Sequence, residues 1–219
     1  MRSNPDNLTG CFVVLGTPRG GTSVVAGLLR LAGLPMGELI DETNQEDLEF
    51  LDIGTHLRSP RTIDIGFNNM VVAEQRFRNL HDLRFTCHVA WGFKDPTLID
   101  YLSDVIQNIN TLRLICVFRD PVAVALREEM AGHSFDAMLR LTLARQSRIV
   151  ALVDSWDLPT LFVSYEKLLL RPWESFGIMS EFVTGAIDDS LREVVERYVV
   201  PECETASIEN FDRESLVSF

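Results

Sequence analysis

The stretch "GTPRGGTS", Gly16 to Ser23, has the spacing of a phosphate-binding loop of the form G-x-x-x-x-G-K-[ST], with two glycines five residues apart and a closing hydroxyl at Ser23. The lysine position of that pattern holds Thr22. Upstream, "CFVVLG" (11–16) is a short apolar, β-branched run ending in glycine, as expected of a strand buried on both faces of a parallel sheet. Downstream, "TSVVAGLLRLAGL" sets Val24, Val25, Leu28, Leu29 and Leu31 or Ala32 at helical spacing, with Gly33 as a C-terminal stop. A strand, a glycine-rich turn and a helix in that order can aim several backbone N–H groups at one anion, assisted by the helix dipole, without any side chain. A turn whose glycines serve only the backbone would carry the same residues.

The pattern continues outward from this unit. Further buried strands are expected at "CHVAWGF" (87–93), "LRLICVF" (112–118) and "PTLFVS" (159–164). Helical patterns lie between them at 96–109, at 121–132 and at 134–156, where Phe135, Met138, Leu139, Thr142, Ile149, Val150 and Val153 recur at spacings of three and four. Strands alternating with helices predict an α/β fold, a parallel sheet covered on both faces by right-handed crossovers. Ligands of such sheets sit at the carboxyl ends of the strands, here Gly16–Ser23, Lys94–Asp95, Arg119–Asp120 and Ser164–Tyr165. Segment 41–86 patterns poorly, with a helix expected around 45–58 and an irregular "RSPRTIDIGFNN" after it. The tail 201–219 is polar and receives no role.

Length and composition set the class. The chain has 219 residues, 46% apolar and 24% charged, the make-up of a soluble globular protein, and it is expected to form one domain over 1–219. No apolar run reaches the length of a membrane span, and "MRSNPDNLTG" lacks the apolar stretch of a signal peptide, so a cytoplasmic location is expected. Four cysteines, Cys11, Cys87, Cys116 and Cys203, show no metal-ligand or disulfide spacing. The net charge of −12 argues against nucleic acid as a partner. An anionic ligand must therefore be held by local cations. Lysine is rare: Lys94 and Lys167 stand against eighteen arginines in a total of 20 basic residues.

In a nucleoside triphosphatase the loop lysine bridges the β- and γ-phosphates, so Thr22 at that position leaves the main charge neutralisation of phosphoryl transfer unsupplied. Arg19, inside the loop, offers a cation at the outside of the cradle. Asp120 before Pro121 is a helix-start signal, and Arg119 would stand beside that helix N-terminus, where a phosphate is welcome.

These residues resemble a known family. "TPRGGTS" looks like the 5′-phosphosulfate loop of bacterial-type sulfotransferases that use 3′-phosphoadenosine 5′-phosphosulfate (PAPS). "VFRDPVAVALRE" (117–128) resembles the family's 3′-phosphate motif, and "VSYEKLLLRP" (163–172) its Tyr-Glu-Asp/Lys-Leu segment. "WGFKDP" (91–96) resembles the strand-end lysine of many members, and "LPMGE...NQEDLEF" (34–50) is similar to their Met-Gly...Glu-Asp stretch. Order and spacing agree over roughly residues 11–172. The resemblance implies a P-loop-NTPase-like three-layer fold and sulfuryl transfer from PAPS to a hydroxyl of a small-molecule, carbohydrate or lipid acceptor, with no metal required. It implies donor contacts from Pro18, Arg19, Gly20, Gly21, Thr22, Ser23, Arg119 and Tyr165. Arg127 stands where the family usually has serine, as a longer phosphate ligand or a surface ion pair.

Arg19 and Lys94 would offset charge on the leaving phosphate. Glu46 is the first candidate for a general base, because the resemblance implies a glutamate of "NQEDLEF" in an acceptor side within 41–86; a solvated acidic helix face is its alternative. His56, ten residues on, is the second candidate, with its phase relative to Glu46 depending on one continuous helix. Tyr165 presents its ring to adenine or is a buried core tyrosine. Trp91 reads as core, and His88 and His133 as structural. Two other functions fit less of the sequence: a P-loop kinase for a small metabolite, and a non-enzymatic nucleotide binder.

Overall fold

A computed structural model describes residues 9–58, 65–109 and 111–199. Strands β1 (Gly10–Leu15), β4 (Ala90–Lys94), β5 (Leu112–Phe118) and β6 (Thr160–Ser164) form a parallel sheet in the order β4-β1-β5-β6. Strands β2 (Ile40–Asp41) and β3 (Glu46–Asp47) form a separate antiparallel hairpin. The order places β1, the strand feeding the glycine-rich loop, between two neighbours, and all six of its residues are buried.

Alternation along β1 divides the core into two layers. Cys11, Val13 and Leu15 face one side with Trp91, Phe93, Leu114 and Cys116, under helices α2 (Leu48–Arg58), α3 (Ile65–Cys87), α4 (Leu102–Val105) and α6 (Phe135–Trp156). Phe12 and Val14 face the other with Ile115 and Val117, under α1 (Thr22–Leu31), α7 (Tyr165–Leu170), α8 (Pro172–Thr184) and α9 (Arg192–Tyr198). The predicted three-layer α/β fold is what forms. Trp91 is core, stacked with Phe50 and Phe93.

Several boundaries differ from expectation. The region after Arg58 is not irregular throughout: residues 59–64 lie outside the described ones, and from Ile65 a 23-residue helix runs to Cys87. Its buried Ala73, Phe77 and Leu80 follow helical spacing, but exposed Val71, Val72 and Leu83 obscure it. The expected strand at 87–93 therefore starts at Ala90, because Cys87 completes α3 and the His88 amide still bonds back to the Arg84 carbonyl. The expected helix at 45–58 starts at Leu48, since Glu46 and Asp47 pair in the hairpin. In α6 only Thr142 and Ile149 are buried, and Leu141, Leu143 and Val150 are exposed. The 96–109 segment folds as two short 3-10 turns around α4. Among the described residues no helix is long and apolar enough to cross a membrane. Cys203 and the tail 201–219 lie outside the described residues.

Candidate active site

The loop between β1 and α1 is shaped by close backbone contacts. The Gly20 amide donates to the Thr17 carbonyl at 2.9 Å, and a Cβ on Gly20 would sit 2.7 Å from that same oxygen. Gly21 has φ of 86°, and a Cβ there would sit 2.1 Å from Cδ2 of Tyr165. Both glycines are therefore required by geometry, the second by its left-handed backbone as well. Arg19 also adopts a positive φ, 60°, and its side chain is exposed. Thr22 fills the lysine position with a buried side chain whose methyl packs against Gly16.

Helix α1, which begins at this loop, has no side-chain cap, as is true of α4, α8 and α9, whereas α5 (Pro121–Glu129), α6 and α7 are capped by Asp120, Ser134 and Ser164. The first-turn N–H groups of α1 thus have no capping side chain among the described residues. Thr17 Oγ1, buried beneath the loop, has no hydrogen-bond partner among the described residues. An uncapped helix start, two glycines with no room for a Cβ against Thr17 and Tyr165, and a buried hydroxyl unpaired among the described residues suit an anion held mainly by backbone.

Two cations flank the cradle. From the end of β5, Arg119 donates to the Arg19 carbonyl at 3.0 Å and lies over the Tyr165 ring at 4.7 Å. Tyr165, itself buried, packs on Gly21, so guanidinium, ring and loop form one stack. Glu166 fixes this corner by accepting from the Asp120 amide at 2.8 Å and from the Ser164 hydroxyl at 3.3 Å. From the end of β4, Lys94, 4% exposed, donates to Ser23 Oγ at 3.1 Å, to the Asn44 carbonyl at 2.6 Å and to Glu46 Oε1 at 2.9 Å. Arg19 is exposed and faces Glu128 at 3.7 Å, and His133 faces the same carboxylate at 3.5 Å.

The acidic β2–β3 hairpin that carries Glu46 is held by cations from three elements. Arg30 of α1 donates to Glu42 and Gln45, Lys94 of β4 to Glu46 and the Asn44 carbonyl, and Arg84 of α3 to Asp47 and Glu49. Behind Lys94, Asp95 accepts from Tyr101, Arg58, the Thr97 amide and the Thr97 hydroxyl. Burial, with the Asp95 charge and hydrogen bond, holds the Tyr101 phenol well above its usual range.

Lys94, Glu46 and Ser23 are thus in contact, and Arg19, Arg119, Gly21 and Tyr165 form a second contacting group. Pro18 and Gly20 complete the loop, and Arg127 sits in the last turn of α5. His56 stands apart. It is exposed on α2, where its Nδ1 meets the Asp52 carbonyl at 2.9 Å, and Glu46 belongs to β3 rather than to that helix. Sequence reading missed Glu166, the Asn44 carbonyl, Glu128 and the Arg84–Asp47 pair. Only Glu166 had a local signal, its place directly after Tyr165.

No protein-family model and no curated protein matches the chain. Among solved structures, the sulfotransferase domain of an olefin synthase from Synechococcus PCC 7002 superposes over 87% of this chain and 79% of that one, at a TM-score of 0.57 and 15% identity. Retinol dehydratase in complex with androsterone and inactive cofactor PAP matches over 91% of this chain and 65% of that one, at a TM-score of 0.45 and 14% identity. A sugar kinase from Janibacter sp. HTCC2649 matches over 80% and 99%, at 0.44 and 16%. The last two likenesses are too distant to weigh. The first shows the fold: the chain is a parallel-sheet, P-loop-like α/β domain of the kind found in that sulfotransferase domain.

Proposed function

We propose that the protein is an enzyme that transfers a sulfuryl group from PAPS to a hydroxyl of a small-molecule, carbohydrate or lipid acceptor. The observation that carries this reading is the position of Lys94. In the P-loop pattern, the residue at Ser23 offers its hydroxyl to magnesium. Here the Lys94 ammonium lies 3.1 Å from that hydroxyl, so the protein supplies a fixed cation of its own at that place. A magnesium-dependent kinase gains nothing from this arrangement, and Thr22 leaves it without the loop lysine. A donor with one phosphosulfate end and a separate 3′-phosphate matches a cradle with one internal cation and a second cationic group.

The α1 N–H groups, Gly20, Gly21, Thr22 and Ser23, with Pro18 shaping the turn, would hold the 5′ end of the donor. Arg119 stacked on Tyr165 would receive the 3′-phosphate and one face of the adenine, with Arg127 on the following helix, α5, as a further candidate for the 3′-phosphate. When bound, the donor supplies an activated sulfur–oxygen bond to the 5′-phosphate. The acceptor oxygen forms its bond to sulfur as the bond to the 5′-phosphate oxygen breaks, and 3′-phosphoadenosine 5′-phosphate departs. Lys94 and Arg19 offset the charge that gathers on that phosphate. Glu46 takes the acceptor proton, favoured over His56 by its contact with Lys94.

The acceptor side would come from the hairpin, α2 and α3, within 41–86. The test is incubation with PAPS carrying a radiosulfur label and a panel of alcohols and phenols, with and without a chelator. Chelator-insensitive transfer supports the reading; magnesium-dependent consumption of ATP with no use of PAPS overturns it.

A further inference from the structure

Glu46 and Asp47 are consecutive residues of a strand, so their side chains leave opposite faces. Glu46 points to Lys94, and Asp47 points away, into a fully buried pocket where its Oδ2 accepts from Arg84 Nη2 at 3.1 Å. Asp47 Oδ1 accepts from the Glu49 amide at 2.9 Å and so also starts α2. Gly37 closes over Asp47, where any Cβ would lie 2.5 Å from Oδ2. The side chain of Asp47 therefore has one place to go, and the two-residue strand β3 is fixed by it.

The ion pair is a poor source of stability. Arg84 is 5% exposed, and its Nε is buried with no hydrogen-bond partner among the described residues. Burial pushes the Asp47 carboxyl above its ordinary range even though the Glu49 amide and Arg84 oppose the shift. Removing two charges from water costs several kcal/mol per ion, and an apolar pair of similar volume often serves as well or better. What the pair supplies instead is position.

We infer that Arg84 is a positioning residue which, through Asp47, holds β3 so that Glu46 stays on Lys94 beneath the phosphate loop. The catalytic significance of that contact rests on the proposed role of Glu46, but the contact itself can be tested without turnover. The chain has only two lysines, Lys94 and the exposed Lys167, so acetylation of Lys94 can be read by peptide mass spectrometry against Lys167 as an internal reference.

The variants are Arg84→Met, Glu46→Gln and the double variant, with Asp47→Asn replacing Arg84→Met should the latter not fold. Arg84→Met is expected to raise the Lys94/Lys167 labelling ratio about fivefold, toward the value of Glu46→Gln, and to add nothing in the Glu46→Gln background. A wild-type ratio in Arg84→Met overturns the inference. A further rise in the double variant, the mark of general loosening rather than action through Glu46, overturns it too. Binding of 3′-phosphoadenosine 5′-phosphate, measured on the same samples, reports separately on the donor reading: its absence in the wild type defeats that reading and leaves the labelling result standing.

Discussion

Replacing Lys94 by Met keeps an unbranched side chain, one atom shorter, and removes its charge and its three donors. In the folded chain that ammonium serves Ser23 Oγ, the Asn44 carbonyl and Glu46 together. Breaking a buried ion pair costs about 3–5 kcal/mol when the surviving charge has no access to water. The Glu46 side chain retains 16% of its exposure, so a stability loss at or below the lower end, about 3 kcal/mol, is expected. Loss of a preorganised donor to a developing charge lowers turnover by about 10²–10³-fold. The assay is transfer of radiosulfur from PAPS under saturating donor, with stability followed by urea unfolding. Lys94→Met combined with Glu46→Gln should recover part of the lost stability, because the uncompensated carboxylate is gone. A Lys94→Met enzyme whose turnover stays within about threefold of wild type would refute the assignment of Lys94 to the leaving phosphate.

Other predictions concern the scaffold of the site. Gly21→Ala should abolish binding of 3′-phosphoadenosine 5′-phosphate and destabilise the chain, since a methyl there meets Tyr165 at 2.1 Å on a backbone with φ of 86°; unchanged binding by calorimetry would contradict the loop geometry. Tyr101→Phe should cost about 1–3 kcal/mol in urea unfolding by removing one donor from buried Asp95, and a neutral result would mean that water replaces it. Burial raises the Cys116 thiol to about 12 and the Cys11 thiol well above its usual value, so both stay protonated at neutral pH. A thiol-alkylating reagent on the native protein should therefore modify exposed Cys87 while sparing those two, and labelling of Cys11 or Cys116 ahead of Cys87 would show the sheet to be open.

Strands β1, β4 and β5 were legible because each is a short apolar run buried on both faces, whereas β6, also expected to be buried, lies at the sheet edge with only Val163 buried and Phe162 exposed. The loop was legible because its glycines answer to local backbone demands at Gly20 and Gly21. Asp120 and Pro121 announced the start of α5 for the same local reason. What could not be read is what depends on contacts distant in sequence. Lys94 meets Glu46 across 48 positions, and Arg84 meets Asp47 across 37, with no pattern in either segment that names the other. Helix α3 escaped notice because Val71, Val72 and Leu83 are apolar yet exposed, which blurs the stripe formed by Ala73, Phe77 and Leu80. His56 looked suitable by residue type alone; it takes the start of α2 at Leu48 and the bond to the Asp52 carbonyl to set it apart from Glu46.

The proposed donor site has two anion-holding groups, the capless start of α1 and the Arg119–Tyr165 stack. Calorimetric titration with 3′-phosphoadenosine 5′-phosphate, beside ATP with magnesium and an Arg119→Ala variant, tests it most directly. Tighter binding of the bisphosphate than of ATP is expected, with a loss of about 10–150-fold in Arg119→Ala, the worth of a charge-assisted hydrogen bond. Preference for ATP, or an Arg119→Ala variant that binds the bisphosphate as the wild type does, would contradict it.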